Sequence, residues 1–543
     1  MLCVALPLHD ISGIHAEPLS IGPRHPARER SPPLRPRRLI ALLAAAILAA
    51  APASTAAVPG TFTLSTPVLA SGPSPFAGCT VGGTPDAEPP GVVYPNTEVE
   101  PFVAVNPTDH NNVIGNYQQD RWSDGGARGL VASSSLDGGL SWAQTWAEFS
   151  VCSDSPATSY LSPFGRATDP WVSFDAAGRA YQISLGIDSV ELNLSGIEVS
   201  TSTDGGGTWG LPARLITDND SVNFNDKESI TGDWRTGVGE GKAYATWIRG
   251  DLPGWPSISP QGAARSFAYR GLAMFSKTTD GGQTWSTPTP MLKSNIYTQG
   301  NQITVLPDGT LVNITAVLFR GSGLQPTPTQ YYWAALRSKD GGKTWSPPIK
   351  IAPLGTALLT NPDIPNPTTL DQTVRAGDYL PDVAVDHTTG AIYMVFANDV
   401  DGSGWNHVVL TKSTDGGKNW TTPQRVDVGT PAGTHSFNGT VEVTADGTVA
   451  VMYYDFRTNT ADPGLPTEVF LAHSHDGGIT WTEQTVDGPF DMEKAPNARG
   501  WFLGDYQGMA AAGPTFNDLI LFYSVSTSAE DSADVMAVRA TRP

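Results

Sequence analysis

Short apolar runs separated by turn residues recur along the chain from about residue 61 to its end. Within the runs, apolar and polar residues alternate or form brief continuous blocks, which is typical of β-strands. Many runs are joined in pairs through Asp, Asn or Gly, as in "NQITVLPDGTLVNIT" and "GTVEVTADGTVAVMYY". Such pairs predict β-hairpins. The pattern therefore predicts an all-β protein.

One eight-residue motif, Ser/Thr-x-Asp-Gly-Gly-x-Ser/Thr/Asn-Trp, occurs six times at intervals of 67, 76, 60, 75 and 61 residues. Its aspartates are Asp137, Asp204, Asp280, Asp340, Asp415 and Asp476. We expect each Asp to accept hydrogen bonds from backbone N–H groups, the glycines to take positive φ, and the Trp to cover the turn. Because the same residues recur in every copy, these Asp boxes are expected to stabilise the repeat rather than to bind metal or act as acids.

A hairpin, the run before the Asp box and the extended segment after it make a unit of four antiparallel strands, A to D. Units of this size arranged around an axis form a β-propeller. Seven such blades are predicted, beginning near Glu98, Asp169, Lys227, Gln302, Asp378, Thr440 and Asp505. The seventh lacks a box and a fourth strand. Residues 61–71, "TFTLSTPVLAS", are expected to supply that strand and close the ring, which would remove an exposed sheet edge. Six blades with an irregular tail are the alternative.

The N-terminus has the order of a secretory signal peptide. Arg35, Arg37 and Arg38 precede an apolar run of 13 residues, 39–51, and small residues follow as far as Ala57. The run is shorter than the roughly 20 residues that an ordinary membrane-spanning helix needs. We predict a leader over residues 1–57, one domain over residues 58–543, and a secreted protein, extracellular or periplasmic, without a membrane span.

The cysteine content and the charge of the chain indicate a disulfide and limit the kinds of partner that it can bind. Cys3 lies in the leader, so Cys79 and Cys152 remain and are expected to form a disulfide, with two separate thiols as the alternative. With 33 Lys and Arg against 53 Asp and Glu, the formal net charge is -20. This balance argues against nucleic acid as a partner, because phosphate binding needs clustered cations. We expect a monomer.

A pocket is expected at one end of the propeller, because successive turns of an up-and-down sheet alternate between its two ends. The A–B turns share one end with the Asp boxes, and the B–C and D–A connections converge on the axis at the other. Polar residues that differ between blades stand at the starts of the A strands, namely Glu100, Asp169, Lys227, Gln302, Thr440 and Gln507. Two Gly-Asp-Tyr motifs add Asp378 and Asp505. The alternative role for each charged residue is a loop salt bridge or a turn cap.

The six boxes and the blade pattern resemble the bacterial neuraminidase repeat, and the chain from about Glu98 to Pro543 is similar to the sialidase superfamily. The resemblance implies hydrolysis of terminal sialic acids by a Tyr nucleophile that a Glu activates and an Asp acid/base. It also implies three Arg residues that bind the substrate carboxylate. The Phe/Tyr-Arg-Ile-Pro motif that usually carries the first Arg does not occur here.

Residues of this chain are assigned to these roles by position. Asp120, at the end of strand B of the first blade, matches the acid/base location. The other catalytic candidates are Glu100, Tyr379, Tyr454 and Tyr506. The substrate-binding candidates are Arg121, Arg249, Arg320, Arg457, Asp169, Asp378 and Asp505.

Two functions from different classes follow. The first is a secreted sialidase-like glycoside hydrolase that acts on a glycan or glycoconjugate. The second is a non-catalytic propeller that binds glycan or protein, since a fold alone does not determine activity. The hydrolase requires no cofactor, and calcium on a carboxylate-rich loop is left open.

Overall fold

A computed structural model describes most of the chain after the predicted leader. Residues 1–57, with the predicted signal peptide, lie outside the described residues. The described ranges are 60–81, 91–158, 160–188, 194–220, 222–251, 270–292, 296–320, 331–364, 367–369 and 372–542. These ranges contain β-strands and two short 3-10 helices, Val151–Ser153 and Met492–Lys494. None of the helices in this part of the chain is long and apolar enough to span a membrane.

We number the strands β1 to β31 in chain order and call each predicted blade a repeat. The N-terminal segment and repeats 1 and 2 contain β1 (Thr63–Leu64), β2 (Val68–Leu69), β3 (Glu98–Asn106), β4 (Asp109–Arg121), β5 (Ala127–Ser135), β6 (Ala143–Thr145), β7 (Arg166–Phe174), β8 (Ala180–Ile187), β9 (Leu194–Ser202) and β10 (Ala213–Asn219). Repeats 3 and 4 contain β11 (Asn223–Gly232), β12 (Ala243–Asp251), β13 (Arg270–Thr278), β14 (Thr289–Pro290), β15 (Ile296–Val305), β16 (Leu311–Arg320), β17 (Tyr332–Ser338) and β18 (Ile349–Pro353).

The remaining strands belong to repeats 5, 6 and 7 and to two short segments that precede repeats 5 and 7. They are β19 (Val374–Arg375), β20 (Asp382–Val385), β21 (Ile392–Asn398), β22 (His407–Ser413), β23 (Gln424–Arg425), β24 (Ser436–Val443), β25 (Val449–Asp455), β26 (Pro466–Ser474), β27 (Thr482–Asp491), β28 (Trp501–Phe502), β29 (Gly508–Ala512), β30 (Asp518–Ser526) and β31 (Ala533–Thr541).

Within each repeat, strands that follow one another in the sequence pair antiparallel, so every repeat is an up-and-down sheet. Repeat 7 contributes β29, β30 and β31 from its own sequence. Its outer position is filled from the other end of the chain, because β1 and β2 both pair antiparallel with β31. Leu64 lies opposite Ala540, and Val68 lies opposite Ala537. The segment at residues 61–71 therefore covers an edge that would otherwise be exposed.

The first strands of the seven predicted repeats line a common channel. Contacts run from β3 to β7, β11, β15, β20, β24 and β29 in chain order, and β29 also contacts β3. Apolar clusters fill the space between sheets; one of them joins Val103 and Val131 of repeat 1 to Ile520 and Phe522 of repeat 7. The channel encloses about 460 Å³ and is lined by residues of all seven first strands. Apolar side chains on both faces of the sheets explain why the strands read as largely apolar runs.

The Asp boxes have the expected hydrogen bonds. In the second box, Asp204 accepts from the hydroxyls of Ser202 (2.7 Å) and Thr208 (2.6 Å) and from the backbone N–H of Thr208 (2.9 Å). The glycines Gly205 and Gly206 have φ of 75° and 89°. In the third box, the equivalent hydrogen bonds lower the pKa of Asp280 to about 2. A carboxylate held so firmly in its ionised form stabilises the turn and cannot act as a general acid near neutral pH.

The N-terminal segment is also tied to repeat 1. A disulfide joins Cys79 to Cys152, with their Cα atoms 5.5 Å apart. Between this bond and the strand pairing, the buried side chain of Phe76 packs with Val103 and Tyr117. The segment therefore contacts both the last repeat and the first.

We predict that Asp204→Ala lowers the free energy of unfolding by about 1 kcal/mol, because the turn loses its acceptor while its N–H groups stay partly hydrated. The measurement is a urea titration followed by tryptophan fluorescence. The control is Asp204→Asn, which keeps one acceptor oxygen. Its free energy of unfolding should lie between those of the unchanged protein and of Asp204→Ala. A denaturation midpoint unchanged by the alanine would contradict the assignment.

Candidate active site

Five of the innermost strands, β3, β7, β11, β15 and β24, contain a β-bulge near their first ends. One residue of each bulge has left-handed backbone dihedrals, namely Glu100 (φ 57°), Asp169 (55°), Lys227 (48°), Gly300 (61°) and Asn438 (50°). The left-handed region favours glycine, yet four of the five carry side chains, and three of those are charged. A bulge changes the direction in which a side chain points, which interrupts the regular alternation of the strand. These bulges therefore bring polar groups to one end of the axis.

A cavity lies at these bulges, at the end where the D–A connections enter the first strands. It encloses about 30 Å³, which is room for a water molecule. The polar and aromatic residues that line it are Trp171, Lys227, Glu228, Asn301, Gln302, Asp378, Asp382, Asn438, Asp505, Tyr506 and Gln507. Three sequence-based candidates, Asp378, Asp505 and Tyr506, are thus brought together in one cavity.

The two Gly-Asp-Tyr motifs meet because the short strands that precede them, β19 and β28, pair in parallel, with Arg375 opposite Phe502. The backbones approach so closely that a Cβ on Gly377 would lie 1.8 Å from the carbonyl oxygen of Asp505. Arg375 packs over the ring of Phe502, 4.3 Å from its centroid, and donates to the Asp505 carboxylate at 2.8 Å. The parallel pairing therefore places a carboxylate, its cation and a second Asp side by side.

The environments of these two carboxyl groups differ. Burial, together with the charge of Asp505, raises the pKa of Asp378 to about 7. Burial also opposes ionisation of Asp505, but the guanidinium of Arg375 holds its pKa below the usual value. At weakly acidic pH one group carries a proton and its neighbour is ionised, which is the division of roles found in acid/base pairs.

A cluster of three ionisable side chains, Glu100, Asp169 and Arg121, lies next to the cavity. Glu100 and Asp169 are fully buried, and one carboxylate oxygen of each has no hydrogen-bond partner. Burial and the charges of Asp169 and Asp505 raise the pKa of Glu100 to about 8. Arg121 is also fully buried; it donates to Gln118 at 2.7 Å, and burial together with the charge of Arg375 lowers its pKa to about 10. Such buried charges are costly unless they are paired or bind a ligand.

Lys227 and Tyr506 stack inside the cavity. The ammonium of Lys227 lies 3.6 Å from the ring centroid of Tyr506 and has no hydrogen-bond partner. The Tyr506 hydroxyl donates to the carbonyl of Pro170 at 2.8 Å. Burial and the nearby carboxylates raise the pKa of Tyr506 well above its usual value. In this arrangement Tyr506 is a platform for a cation, and its hydroxyl is not poised as the predicted nucleophile.

The structure does not place Asp120 at the cavity. Its carboxylate is fully buried and accepts from the Ser74 hydroxyl (2.7 Å), the Asn96 backbone N–H (2.8 Å) and the Arg128 guanidinium (3.1 Å). These partners hold the N-terminal segment against repeat 1. This placement differs from the sequence-based expectation that Asp120 faces the axis as the acid/base, because its oxygens are already occupied by the chain itself.

Other candidates also lie elsewhere. Tyr454 is buried in an apolar cluster and donates to the carbonyl of Ser524 at 2.8 Å, so it is a core residue. Tyr379 is half-buried and follows Asp378, but it is not among the cavity-lining residues.

The three arginine candidates whose side chains are described, Arg121, Arg249 and Arg457, do not converge. Arg249 forms a two-pronged ion pair with Asp218, at 2.8 and 2.6 Å, away from the cavity. Arg457 pairs with Asp455 at 2.6 Å. The side chain of Arg320 lies outside the described part of the chain. No arginine is among the described residues that line the cavity, so the three-arginine arrangement that the sialidase resemblance implies is absent from that lining. Of the arginine candidates whose side chains are described, Arg121 alone lies next to the cavity.

Sequence reasoning missed Arg375 and Glu228. Glu228 is fully buried beside Lys227, neither of its carboxyl oxygens has a partner, and burial and the charge of Asp169 raise its pKa well above the usual value. The polar run "NDKES" in an otherwise apolar strand was the available signal for Glu228. No group of three or more His, Cys, Asp or Glu side chains within the described ranges is arranged to hold a metal ion.

Comparison with known proteins finds no matching family model and no matching curated protein. The solved structures similar to this chain include an α-L-arabinofuranosidase, Arb93A, of Fusarium graminearum, at 13% identity and a TM-score of 0.42, covering 89% of this chain and 98% of that one. They also include an α-L-arabinanase of Penicillium chrysogenum, at 11% and 0.43, covering 88% and 98%. The Hadza microbial sialidase Hz136 matches at 16% and 0.42, covering 79% and 73%. At TM-scores this low the likenesses assign no activity to this chain.

We predict that Asp120→Asn destabilises the protein by about 2–3 kcal/mol, because hydrogen bonds to a buried charge are lost and Arg128 loses its counterion. Urea denaturation would measure the change. Asp109→Asn, at an exposed carboxylate that accepts from the Asn111 backbone, is the control and should leave stability near that of the unchanged protein. Full stability in Asp120→Asn would contradict the structural role.

Proposed function

We propose that the chain is a secreted, seven-bladed β-propeller that hydrolyses glycosidic bonds of glycans. The cyclic order of contacts among the seven first strands and the channel that they share support the closed ring. A cavity lined with several carboxyl groups at one end of that axis supports a reaction site, since perturbed titratable groups in a cleft are typical of active sites.

One observation carries the assignment of a hydrolase. Asp378 and Asp505 line the same cavity on adjoining segments, and their surroundings shift their pKa values in opposite directions. Glycoside hydrolysis commonly uses two carboxyl groups, one protonated and one ionised. In this proposal Asp378 is the general acid and Asp505 is the base, with Arg375 as the residue that positions Asp505.

The reaction follows from these roles. The Asp378 carboxyl gives its proton to the glycosidic oxygen as the bond from that oxygen to the anomeric carbon breaks. The Asp505 carboxylate stabilises the positive charge that develops on the sugar and takes a proton from the attacking water. The water oxygen bonds to the anomeric carbon, so the products are the free sugar and the protonated leaving group.

Release of terminal sialic acid is a narrower version of this proposal, and binding without turnover is its alternative. Sialic acid carries a carboxylate, for which arginine is the preferred partner. A fluorogenic panel of a sialoside, neutral pentosides and hexosides, and uronides separates these possibilities. Binding of a glycan with no release of the fluorophore from any substrate would favour the binding propeller.

We predict that Asp378→Asn and Asp505→Asn each reduce turnover by about 10²- to 10⁴-fold on whichever substrate of the panel is cleaved, because each removes one proton-transfer group. Thermal melting should show that both variants stay folded. Asp401→Asn, in an exposed loop of repeat 5, is the control and should retain full turnover. Loss of the same size in the control, or none in the two variants, would overturn the assignment.

The pH dependence gives an independent test. Asp378 must be protonated to act, so kcat/KM should fall as pH rises through about 7. Asp505 must be ionised, and because its pKa is lowered, the acidic decline should begin only below the usual range for Asp. A bell-shaped profile with its maximum at weakly acidic pH is expected. Activity that keeps rising to pH 9 would rule out Asp378 as the acid.

A further inference from the structure

We propose that the axial channel binds a small organic cation, such as a quaternary ammonium group, between aromatic rings on one side and the carboxyl groups of Asp382 and Glu442 on the other. The channel is the space of about 460 Å³ that the first strands of the predicted repeats line. It adjoins the small cavity of the candidate active site but is a different space, so the inference does not depend on the proposed hydrolysis.

The channel has the volume and the access that a small ligand needs. Pockets that bind small molecules commonly enclose about 300–1,000 Å³, and the channel, at about 460 Å³, falls within that range. Exposed residues of three A–B turns, Pro107, Thr388 and Ala445, belong to its lining. The channel is therefore reached from solvent at the A–B turns.

The charge of the channel lining is negative. The described lining contains three carboxyl groups, those of Asp382, Asp386 and Glu442, and neither Lys nor Arg. His387 is the remaining titratable group of that lining, and desolvation lowers its pKa to about 4, so it is uncharged near neutral pH. The ammonium of Lys227 lies outside this lining, on the ring of Tyr506. Negative charge within an enclosed channel attracts a cation and disfavours an anion.

Glu442 provides the carboxyl group best placed to pair with a ligand. Its neighbours in β24, Val441 and Val443, pack in an apolar cluster between sheets, whereas Glu442 is half-buried and lines the channel. Its Oε1 accepts from the Val443 N–H at 2.7 Å. Burial, together with the charge of Asp382, raises the pKa of Glu442 to about 7. Ionising such a carboxyl group is costly when no cation lies beside it, and a bound cation would reduce that cost.

Aromatic rings stand across the channel from these carboxyl groups. In the order of contacts among the first strands, β11 and β15 lie between β7 and β20, and β3 and β29 lie between β7 and β24. Trp171 of β7 therefore lies on the side opposite Asp382 and Glu442. All three stand four residues before the Asp of their A–B turn, which places them at a similar level along the axis.

Two of the aromatic rings in the channel lining form a stacked pair. Phe102 stacks on Trp171 with the ring centroids 3.6 Å apart. Phe102 is half-buried, and Trp171 is 6% exposed. Aromatic rings attract organic cations, and quaternary ammonium groups are the ligands that such rings recognise most often. Aromatic surface on one side and carboxyl groups on the other thus suit an organic cation.

Choline and 3,3-dimethylbutan-1-ol test the inference on the unchanged protein, because the two molecules have the same shape and differ in charge. We would titrate the full chain with each by calorimetry at pH 8. Choline should bind at least about tenfold more tightly than the alcohol. Equal binding of the two, tighter binding of the alcohol, or no binding of choline would overturn the proposal.

A substitution tests the role of Glu442. Glu442→Gln keeps the shape of the side chain and removes its charge, so it should weaken choline binding about tenfold and leave binding of the alcohol unchanged. Glu468→Gln is the matched control, since Glu468 is also a half-buried glutamate of repeat 6 but lies outside the channel lining. Choline binding should be unchanged in this control. An equal loss in the control, or no loss in Glu442→Gln, would overturn the proposal.

The pH dependence of choline binding tests the same role without a substitution, should Glu442→Gln fail to fold. Choline keeps its charge at every pH, whereas Glu442 gains a proton as pH falls through about 7. Asp386, whose pKa is lowered by hydrogen bonds within its own turn, stays ionised over this range. Choline affinity should therefore fall about tenfold between pH 8 and pH 6. Affinity that is equal at the two pH values, or greater at pH 6, would overturn the proposal.

Discussion

The β-bulges of the innermost strands are the constraint on which the candidate site depends. A regular strand alternates its side chains between the two faces of its sheet, and in this molecule apolar clusters fill much of the space between the sheets. At Glu100, Asp169 and Lys227 the backbone takes φ of 57°, 55° and 48°, which costs of order 1 kcal/mol or more at each non-glycine residue. That conformation lets a charged side chain leave the apolar layer.

Much of the fold follows from local patterns in the sequence. The hairpins, the Asp boxes and the spare strand near Leu64 are each encoded within ten or so residues, and the structure contains all of them. The sequence predicts the starts of the first strands less exactly than it predicts the hairpins and the Asp boxes. When the repeats are aligned on the Asp or Asn of the A–B turn, Gln302 is at the position equivalent to Glu100. In β15, however, the residue with left-handed backbone is Gly300. The reason is that Asp308 lies three residues beyond the end of β15, whereas Asp175 directly follows β7.

The site was predictable where residues repeat a motif and not where distant segments meet. Asp378 and Asp505 stand in two copies of Gly-Asp-Tyr, which marks them in the sequence. Arg375 has no such mark, and its role depends on parallel pairing between strands more than a hundred residues apart. Asp120 shows the opposite error. It stands beside Arg121 at a strand end, as a catalytic acid would, but two of its partners, Ser74 and Asn96, come from the segment that precedes repeat 1. Nothing in the local sequence of Asp120 indicates that contact.

The Asp boxes and the candidate site, at opposite ends of the repeats, differ in how completely their polar atoms are hydrogen-bonded. At one end the same Asp recurs in six boxes, and in each box its oxygens are occupied by neighbouring hydroxyl and N–H groups. At the other end no polar residue is shared by all the repeats, and Glu100, Asp169, Lys227 and Glu228 each keep a buried atom without a partner. A fold under selection for stability alone would replace such groups with apolar ones, since removing a buried charge cluster is often neutral or stabilising. Three of the four, Glu100, Asp169 and Lys227, also stand on left-handed backbone, which adds a conformational cost to the cost of the unpaired atoms. A ligand that supplies the missing partners, as the proposed function requires, would offset part of that cost.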